Sequence, residues 1–371
     1  MLGPRRTWNA ALIPPRHQRT VRILLLGVLV PCWLGTACNR SAPPAPETQG
    51  DKARVSVILD TGQDDDKTFN AHILQGAREA ERQGLISLTA TSASSEFDYE
   101  AHIEYQAGQN PDLIVTSGFL MGHATARAAR RHPNLKFAIV DVVYEPGFGC
   151  PDHIEDCYSP EGGLDNVTSL NFAEDQVGYL AGVLAACMSQ TGIIASISGP
   201  DVEPVVRFVT GYQNGARSVN PDIQTLNVYL PSFNDPELGK VKAREFIAEG
   251  ADVVFGVGGN SGNGALVVAA EMNLMAIGVD GDQYYSLPIA RSALLTSASK
   301  KLDIAVADLL KDLAKGKLEP GIRTASLANG GVDLAPFHDW ETRIPTACRQ
   351  HVESARNAII ADPTLARAEQ P

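Results

Sequence analysis

Short apolar runs alternate with amphipathic stretches along most of the chain. The runs fall at residues 55–59, 113–115, 137–140, 193–197, 253–255 and 276–279. Runs this short, apolar at successive positions, suit strands of a parallel sheet covered by helices on both faces. Between them, residues 71–83, 121–131, 176–188 and 262–272 space their apolar positions at helical intervals. The alternation predicts βαβ units and an α/β fold.

The pattern repeats once, at an offset of about 140 residues. Asp60-Thr61-Gly62 closes the first strand and Ser198-Gly199-Pro200 closes its counterpart. Phe69 stands seven positions before Gly76-Ala77-Arg78, and Phe208 seven before Gly215-Ala216-Arg217. Pro111-Asp112-Leu113-Ile114-Val115 corresponds to Ala251-Asp252-Val253-Val254-Phe255, and Gly118 to Gly258. Phe137-Ala138-Ile139-Val140-Asp141 corresponds to Ala276-Ile277-Gly278-Val279-Asp280. Shared strand-turn-helix grammar accounts for some of these matches but not for their near-constant spacing. Two similar units give two open sheets, and ligands of such sheets bind beyond the carboxyl ends of the strands. A cleft is therefore expected between two lobes, with Asp60, Gly118 and Asp141 on one side and Gly199, Gly258 and Asp280 on the other.

The N-terminal segment has a different character. Residues 1–22 hold Arg5, Arg6, Arg16, Arg19 and Arg22 with no acid, and residues 23–37 form a continuous apolar run. The run is too short for a comfortable membrane span and has the layout of a bacterial export signal. It ends Leu34-Gly35-Thr36-Ala37-Cys38, which resembles a lipobox with Cys38 as the acylated residue. Gly35 stands where Leu is usual, and an ordinary signal with an incidental cysteine is the alternative. Residues 39–51 (NRSAPPAPETQGD) are polar and Pro-rich, as in a flexible tether. About 320 residues remain, enough for two domains. The net charge of −12 argues against nucleic acid or anionic lipid as partners.

Cys150 and Cys157 flank a short loop, and in an oxidising compartment they read as a disulfide. A metal site is the alternative, because His153, Glu155 and Asp156 lie between them, but no second ligand pair stands at zinc spacing. Cys187 and Cys348 either pair or stay buried as thiols.

The strand ends carry the candidate chemistry. Asp60, Asp141 and Asp280 are acceptors suited to sugar hydroxyls or an amine and hostile to phosphate. Lys300 offsets only part of that charge, so a neutral or cationic ligand is expected. In the loop after the first strand, Thr68 or Asn70 is a candidate helix cap, and Asp64, Asp65 and Asp66 read as solvated or helix-start acids. Phe69, an aromatic in a polar loop, either packs at the helix start or stacks on a flat ligand. The glycine-rich stretch 256–264 fits neither G-x-G-x-x-G nor a P-loop. It reads as a tight turn bringing backbone N–H groups towards a ligand. No G-x-S-x-G or H-E-x-x-H is present, and the histidines show no metal-ligand spacing. Neither a catalytic constellation nor a cofactor is expected.

Several short segments, in order, carry a more specific signal. They are Asp65-Asp-Lys-Thr-Phe-Asn70, Lys136-Phe-Ala-Ile-Val-Asp141, Gly178-Tyr-Leu-Ala-Gly-Val-Leu-Ala-Ala186 and Arg207-Phe-x-x-Gly-Tyr212, followed by Gly250-Ala-Asp-Val-Val-Phe255, Ile277-Gly-Val-Asp-Gly-Asp-Gln283 and Ser297-Ala-Ser-Lys300. From about residue 55 to 301 the chain resembles the basic membrane protein family of solute-binding lipoproteins. The resemblance implies a type I periplasmic-binding-protein fold, two Rossmann-like lobes with parallel sheets joined by a three-segment hinge. After a signal peptide (1–37) and a lipidated tether (38–53), lobe 1 would comprise 54–170 plus 284–323, and lobe 2 would comprise 171–283 plus 324–365. It also implies an exported, lipid-anchored monomer that binds a nucleoside, a purine above all, and passes it to an ABC permease. Asp60, Asp141, Asp280 and Lys300 would hold the sugar, with Thr68, Asn70 and Gly278 lining the site. Phe69 would form one face of a sandwich around the base. Phe255 is the choice for the other face, with Phe208 as the alternative. The loop 144–165 is longer than the family pattern suggests and lies beside Asp141. A ligand-sensing surface protein of the same fold is the alternative role, and an enzyme on a doubly wound sheet is a third reading.

Overall fold

The computed structural model describes residues 52–61 and 66–367. The expected export signal, Cys38, residues 39–51 of the expected tether, Asp64 and Asp65 lie outside the described residues; Ala53, at the expected tether's end, already belongs to β1. The strands are β1 (Ala53–Leu59), β2 (Ile86–Ser92), β3 (Leu113–Ser117), β4 (Lys136–Val140), the two-residue β5 (Glu145–Pro146) and β6 (Gly149–Cys150), β7 (Val167–Phe172), β8 (Ile193–Ser198), β9 (Gln224–Tyr229), β10 (Val253–Val257), β11 (Met275–Asp280), β12 (Leu294–Lys300), β13 (Gly321–Ala325) and β14 (Val332–Leu334). The helices are α1 (Phe69–Arg82), α2 (Tyr99–Ala107), α3 (Gly122–Arg131), α4 (Glu174–Met188), α5 (Glu203–Val219), α6 (Pro236–Ala248), α7 (Gly259–Glu271), α8 (Gln283–Ser286), α9 (Leu302–Ala314) and α10 (Thr346–Ala361).

Two six-stranded sheets result, in the orders β2-β1-β3-β4-β7-β13 and β9-β8-β10-β11-β12-β14. Counted within each lobe, the first five strands follow the same order, second-first-third-fourth-fifth, so the repeat in the sequence is a repeat of topology. Every pairing in these two sheets is parallel except β12 with β14.

The strand runs are apolar on both faces because both faces are covered. In β1, Val55, Val57 and Leu59 enter one core and Ile58 enters another. In β10, Val253, Phe255 and Val257 enter the first of these cores, and Val254 enters a third. The first core is continuous across both lobes. Helices α4 and α5 meet there at backbone distance, because Gly178, Gly182, Gly211 and Gly215 leave no room for a Cβ between them. That contact fixes the start of α5, which carries Arg207 and Phe208.

The chain crosses between sheets three times: from β7 to α4, from β12 to α9, and from β13 to β14. The expected boundary at residue 284 is corrected. Residues 294–300 form β12, wholly buried between β11 and β14, so lobe 2 runs on to Lys300. Its apolar side chains complete the second sheet, and the chain returns to lobe 1 only at Lys301. The first crossing likewise falls after Phe172, not at residue 170, because β7 stays paired with β13 to that point. Among the described residues no helix is long and apolar enough to cross a membrane.

Candidate functional site

The carboxyl ends of the strands face a cleft lined from both lobes. On the lobe 1 side, Asp60 follows β1 and is oriented by its neighbours. Its Oδ1 accepts from Asn70 Nδ2 (2.6 Å), and its backbone N–H donates to Ser117 Oγ (2.9 Å). Ser117 in turn donates to Asn70 Oδ1 (2.8 Å). Asn70 is fully buried and fixes Asp60; it is not itself at the cleft surface. Gly118, at φ 90°, has no Cβ to meet the Asp60 carboxylate.

Neither Thr68 nor Asn70 caps α1 with its side chain; Asp66 does. Its two oxygens accept from the backbone N–H groups of Thr68 (3.0 Å), Asn70 (2.9 Å) and Ala71 (3.1 Å). Thr68 is buried and its hydroxyl has no partner among the described residues. Of the two readings of its charge run, solvated acid or helix-start acid, Asp66 takes the second. It is 2 % exposed and lines the cleft. Burial pushes its carboxyl up to about 6, against the pull of the three N–H groups.

Asp141 and Asp280 occupy equivalent places, at the ends of β4 and β11. Both have left-handed backbone, φ 63° and 64°. That conformation costs a residue with a Cβ about 1 kcal/mol or more, and such strain is characteristic of sites where side-chain direction matters. Between them lies Lys300, at the end of β12. Its Nζ is 2.5 Å from Asp141 Oδ2, 3.2 Å from Glu174 Oε1 and 3.6 Å from Asp280 Oδ1. Arg207 reaches the other oxygen of Glu174 at 2.8 Å. Burial works against the Lys300 ammonium, but Asp141, Glu174 and Asp280 outweigh it and raise its pKa, so Lys300 stays charged. Burial likewise raises the Asp141, Glu174 and Asp280 carboxyls, with Lys300 the main opposing influence on each. Asp141 Oδ1 is buried without a partner among the described residues. It is an acceptor available to a hydroxyl donor. Lys300 and Glu174 stand at two of the three lobe crossings, which is how residues 126 positions apart in sequence come to form an ion pair.

Four phenylalanines line the cleft: Phe69 and Phe119 from lobe 1, Phe208 and Phe233 from lobe 2. The Lys300 ammonium is 4.9 Å from the Phe69 ring centre and 5.6 Å from that of Phe208. Phe255 does not line the cleft. The strand runs two residues beyond it, to Val257, so Phe255 lies inside the sheet. Its ring is fully buried, 4.7 Å from the ring of Tyr212 and 6.1 Å from that of Phe208 on α5. Gly278 does not line it either. A Cβ there would collide with Gln283 Oε1 and Ser297 Oγ, so the glycine makes room for Gln283.

Sequence reasoning missed Phe233, Phe119, Glu174 and the pair Asn263–Gln283. Phe233 had a readable signal: it is an aromatic in a polar loop, the criterion that singled out Phe69. It rests against Gly199, Gly258 and Gly259, where a Cβ would strike it. Gln283 is fully buried, accepts from Val279 N–H (2.9 Å) and donates to Asn263 Oδ1 (2.6 Å). Asn263 Nδ2 donates to the backbone carbonyl of Asp66 at 2.9 Å. That bond joins lobe 2 to lobe 1 beside the cleft, and His72 of α1 also packs on Gly281. The lobes are in contact here, so the arrangement is a closed one.

Cys150 and Cys157 form a disulfide, which leaves neither thiolate free for the alternative metal site. Cys187 and Cys348 form a second, tying α4 to α10. Among the described residues no cluster of His, Cys, Asp and Glu is placed to hold a metal ion.

Residues 52–357 match the family model described as ABC transporter substrate-binding protein PnrA-like. The chain belongs to this PnrA-like family. The ABC transporter nucleoside-binding protein BmpA of Lactococcus lactis subsp. cremoris is 31% identical over 301 residues, covering 76% of this chain and 81% of that one. Basic membrane protein A1 of Borrelia garinii subsp. bavariensis is 30% identical over 294 residues, covering 78% and 80%. Among solved structures, an ABC transporter solute-binding protein from Aeropyrum pernix K1 superposes with a TM-score of 0.74 at 25% identity, over 84% of this chain and 92% of that one. The two-lobed fold is thus that of a PnrA-like substrate-binding protein.

Proposed function

We propose that this PnrA-like protein captures a nucleoside, preferentially a purine nucleoside, and delivers it to an ABC permease from a lipid anchor at Cys38. The observation that carries the reading is the pairing of strand-end carboxylates and a caged ammonium with aromatic walls in one cleft. Asp60, Asp141 and Asp280 accept from ribose hydroxyls, and Lys300 donates to a sugar oxygen. A flat base lies against Phe69 from one lobe and Phe233 or Phe208 from the other. Asn70 and Gly278 act behind this layer, Asn70 holding Asp60 and Gly278 making room for Gln283, and Thr68 is buried beside Phe69 at the start of α1. Four acids, Asp60, Asp66, Asp141 and Asp280, line the cleft against one lysine, so a phosphate group is disfavoured and a nucleoside is preferred to a nucleotide. The name of the Lactococcus relative, a nucleoside-binding protein, supports the same ligand class.

Binding and closure are coupled. A ligand that touches both lobes has more contacts in the closed state and shifts the population towards it. The Asn263–Asp66 bond forms only when the lobes meet, and it adds to that preference.

Calorimetric titration of the full chain with guanosine, adenosine, inosine, uridine, free ribose and guanosine monophosphate tests the proposal. Nucleosides are expected to bind at least about tenfold more tightly than ribose, the value of roughly 1.4 kcal/mol from stacking, and the monophosphate more weakly than guanosine. Equal affinity for ribose and every nucleoside would remove the aromatic role. Tighter binding of the monophosphate would overturn the electrostatic argument.

A further inference from the structure

Phe119 lines the cleft from the short 3-10 turn after Gly118 that leads into α3. Its support comes from the loop between β4 and β7. Phe148 stacks on it with ring centres 5.2 Å apart and planes 8° from parallel. Phe148 is itself held on several sides. His123 meets its edge at 4.8 Å and Tyr144 lies at 5.9 Å. Gly122 opens α3 with no Cβ, and one placed there would strike the Phe148 ring.

The loop is pinned as firmly as the ring. Glu145 and Phe148 exchange backbone hydrogen bonds (2.9 and 2.8 Å), and Gly147 N–H donates to the Cys150 carbonyl (3.0 Å). Cys150 is tied to Cys157. Tyr144 donates its hydroxyl to Gly122 O (2.8 Å), while its N–H donates to the hydroxyl of Tyr158, which bonds Ser169 on β7 (2.6 Å). Phe148 thus joins a wall of the cleft to a cross-linked scaffold outside it.

We propose that Phe148 is a positioning residue for ligand discrimination: from its disulfide-closed loop it holds the Phe119 ring as a fixed wall that a purine base touches and a free sugar does not. The inference rests on the nucleoside reading and adds a residue that never contacts the ligand. Stacking of one aromatic pair is worth about 0.5–1.5 kcal/mol beyond burial, and a wall that no longer holds its plane loses a similar amount of contact with a flat ligand. The sugar, gripped by the carboxylates and Lys300, is unaffected.

The test compares wild type with Phe148→Ala, Phe148→Leu, Phe148→Tyr and the double change Cys150→Ser, Cys157→Ser, by calorimetric titration with guanosine and with free ribose. Phe148→Ala is expected to weaken guanosine roughly 3- to 10-fold and ribose less than about twofold. Phe148→Leu, which keeps bulk but not the ring plane, should move the ratio in the same direction, as should the double change. Phe148→Tyr should retain the wild-type ratio. An equal loss for both ligands, or an unchanged ratio in both Phe148→Ala and Phe148→Leu, overturns the role of Phe148 while leaving nucleoside binding in place. Wild-type protein that binds ribose but no nucleoside overturns the underlying reading and this inference with it.

Discussion

Replacing Asp66 with Asn measures which of two opposed forces governs the start of α1. Burial favours the neutral acid, and three backbone N–H donors favour the carboxylate. Burial wins, lifting the carboxyl from its ordinary 3.8 to about 6. Below pH 3.8 the group is protonated in both folded and unfolded chains and contributes no pH dependence. Between pH 3.8 and 6 the folded chain keeps a proton that the unfolded chain releases, so stability falls as pH rises. Above pH 6 the penalty is constant. At about 1.4 kcal/mol per factor of ten in proton affinity, the full loss is about 3 kcal/mol. For a chain of this length that corresponds to roughly 4 to 5 °C in Tm. Asn at position 66 does not titrate, so the Tm difference between wild type and Asp66→Asn isolates the effect. Scanning calorimetry of both proteins from pH 3.5 to 7.5 at fixed ionic strength should show wild type losing ground to the variant across pH 4–6. If wild type instead gains on the variant over that interval, the N–H donors outweigh burial and the reasoning fails.

Asn263→Ala removes the donor that joins the lobes at the Asp66 carbonyl. It should speed ligand release by about three- to tenfold, with the association rate within twofold, because one hydrogen bond is worth roughly 0.5–1.5 kcal/mol; stopped-flow fluorescence reads both rates, and an unchanged release rate refutes the latch. Phe255→Leu should cost about 1–2 kcal/mol of stability through lost core packing, read as a lower Tm, while leaving the ratio of nucleoside to ribose affinity unchanged. Phe233→Leu should do the reverse, and a shifted ratio in the Phe255 variant would return that residue to the site. Lys300→Met leaves Asp141, Glu174 and Asp280 buried around a lost cation and should destabilise the fold by about 3–5 kcal/mol. A variant as stable as wild type by calorimetry would show that these acids sit protonated.

The α/β fold, its duplication and its strand-end cleft are written in local sequence. Both faces of each central strand are buried, so Val55 to Leu59 and Val253 to Phe255 read as apolar runs without any knowledge of their partners. Duplication makes the same grammar appear twice, and it placed Asp60, Asp141 and Asp280 together at the cleft. What local pattern does not contain is how far a strand continues and which side of the sheet a residue takes. Phe255 looked like a strand end, but β10 runs to Val257 and the two-residue period turns Phe255 into the shared core. Phe233, Phe208 and Phe119 reach the cleft because particular loops and helix starts lie over glycines and neighbouring rings. Asp66 serves as a helix-start acid, one of the two readings its charge run offered, but its burial beside lobe 2 exists only in the packed chain. Lys300 meets Glu174 and Asp141 only where the chain crosses between lobes. Strand identity follows from side-chain chemistry along one segment; a site assembled from several segments depends on distances that only the packed chain sets.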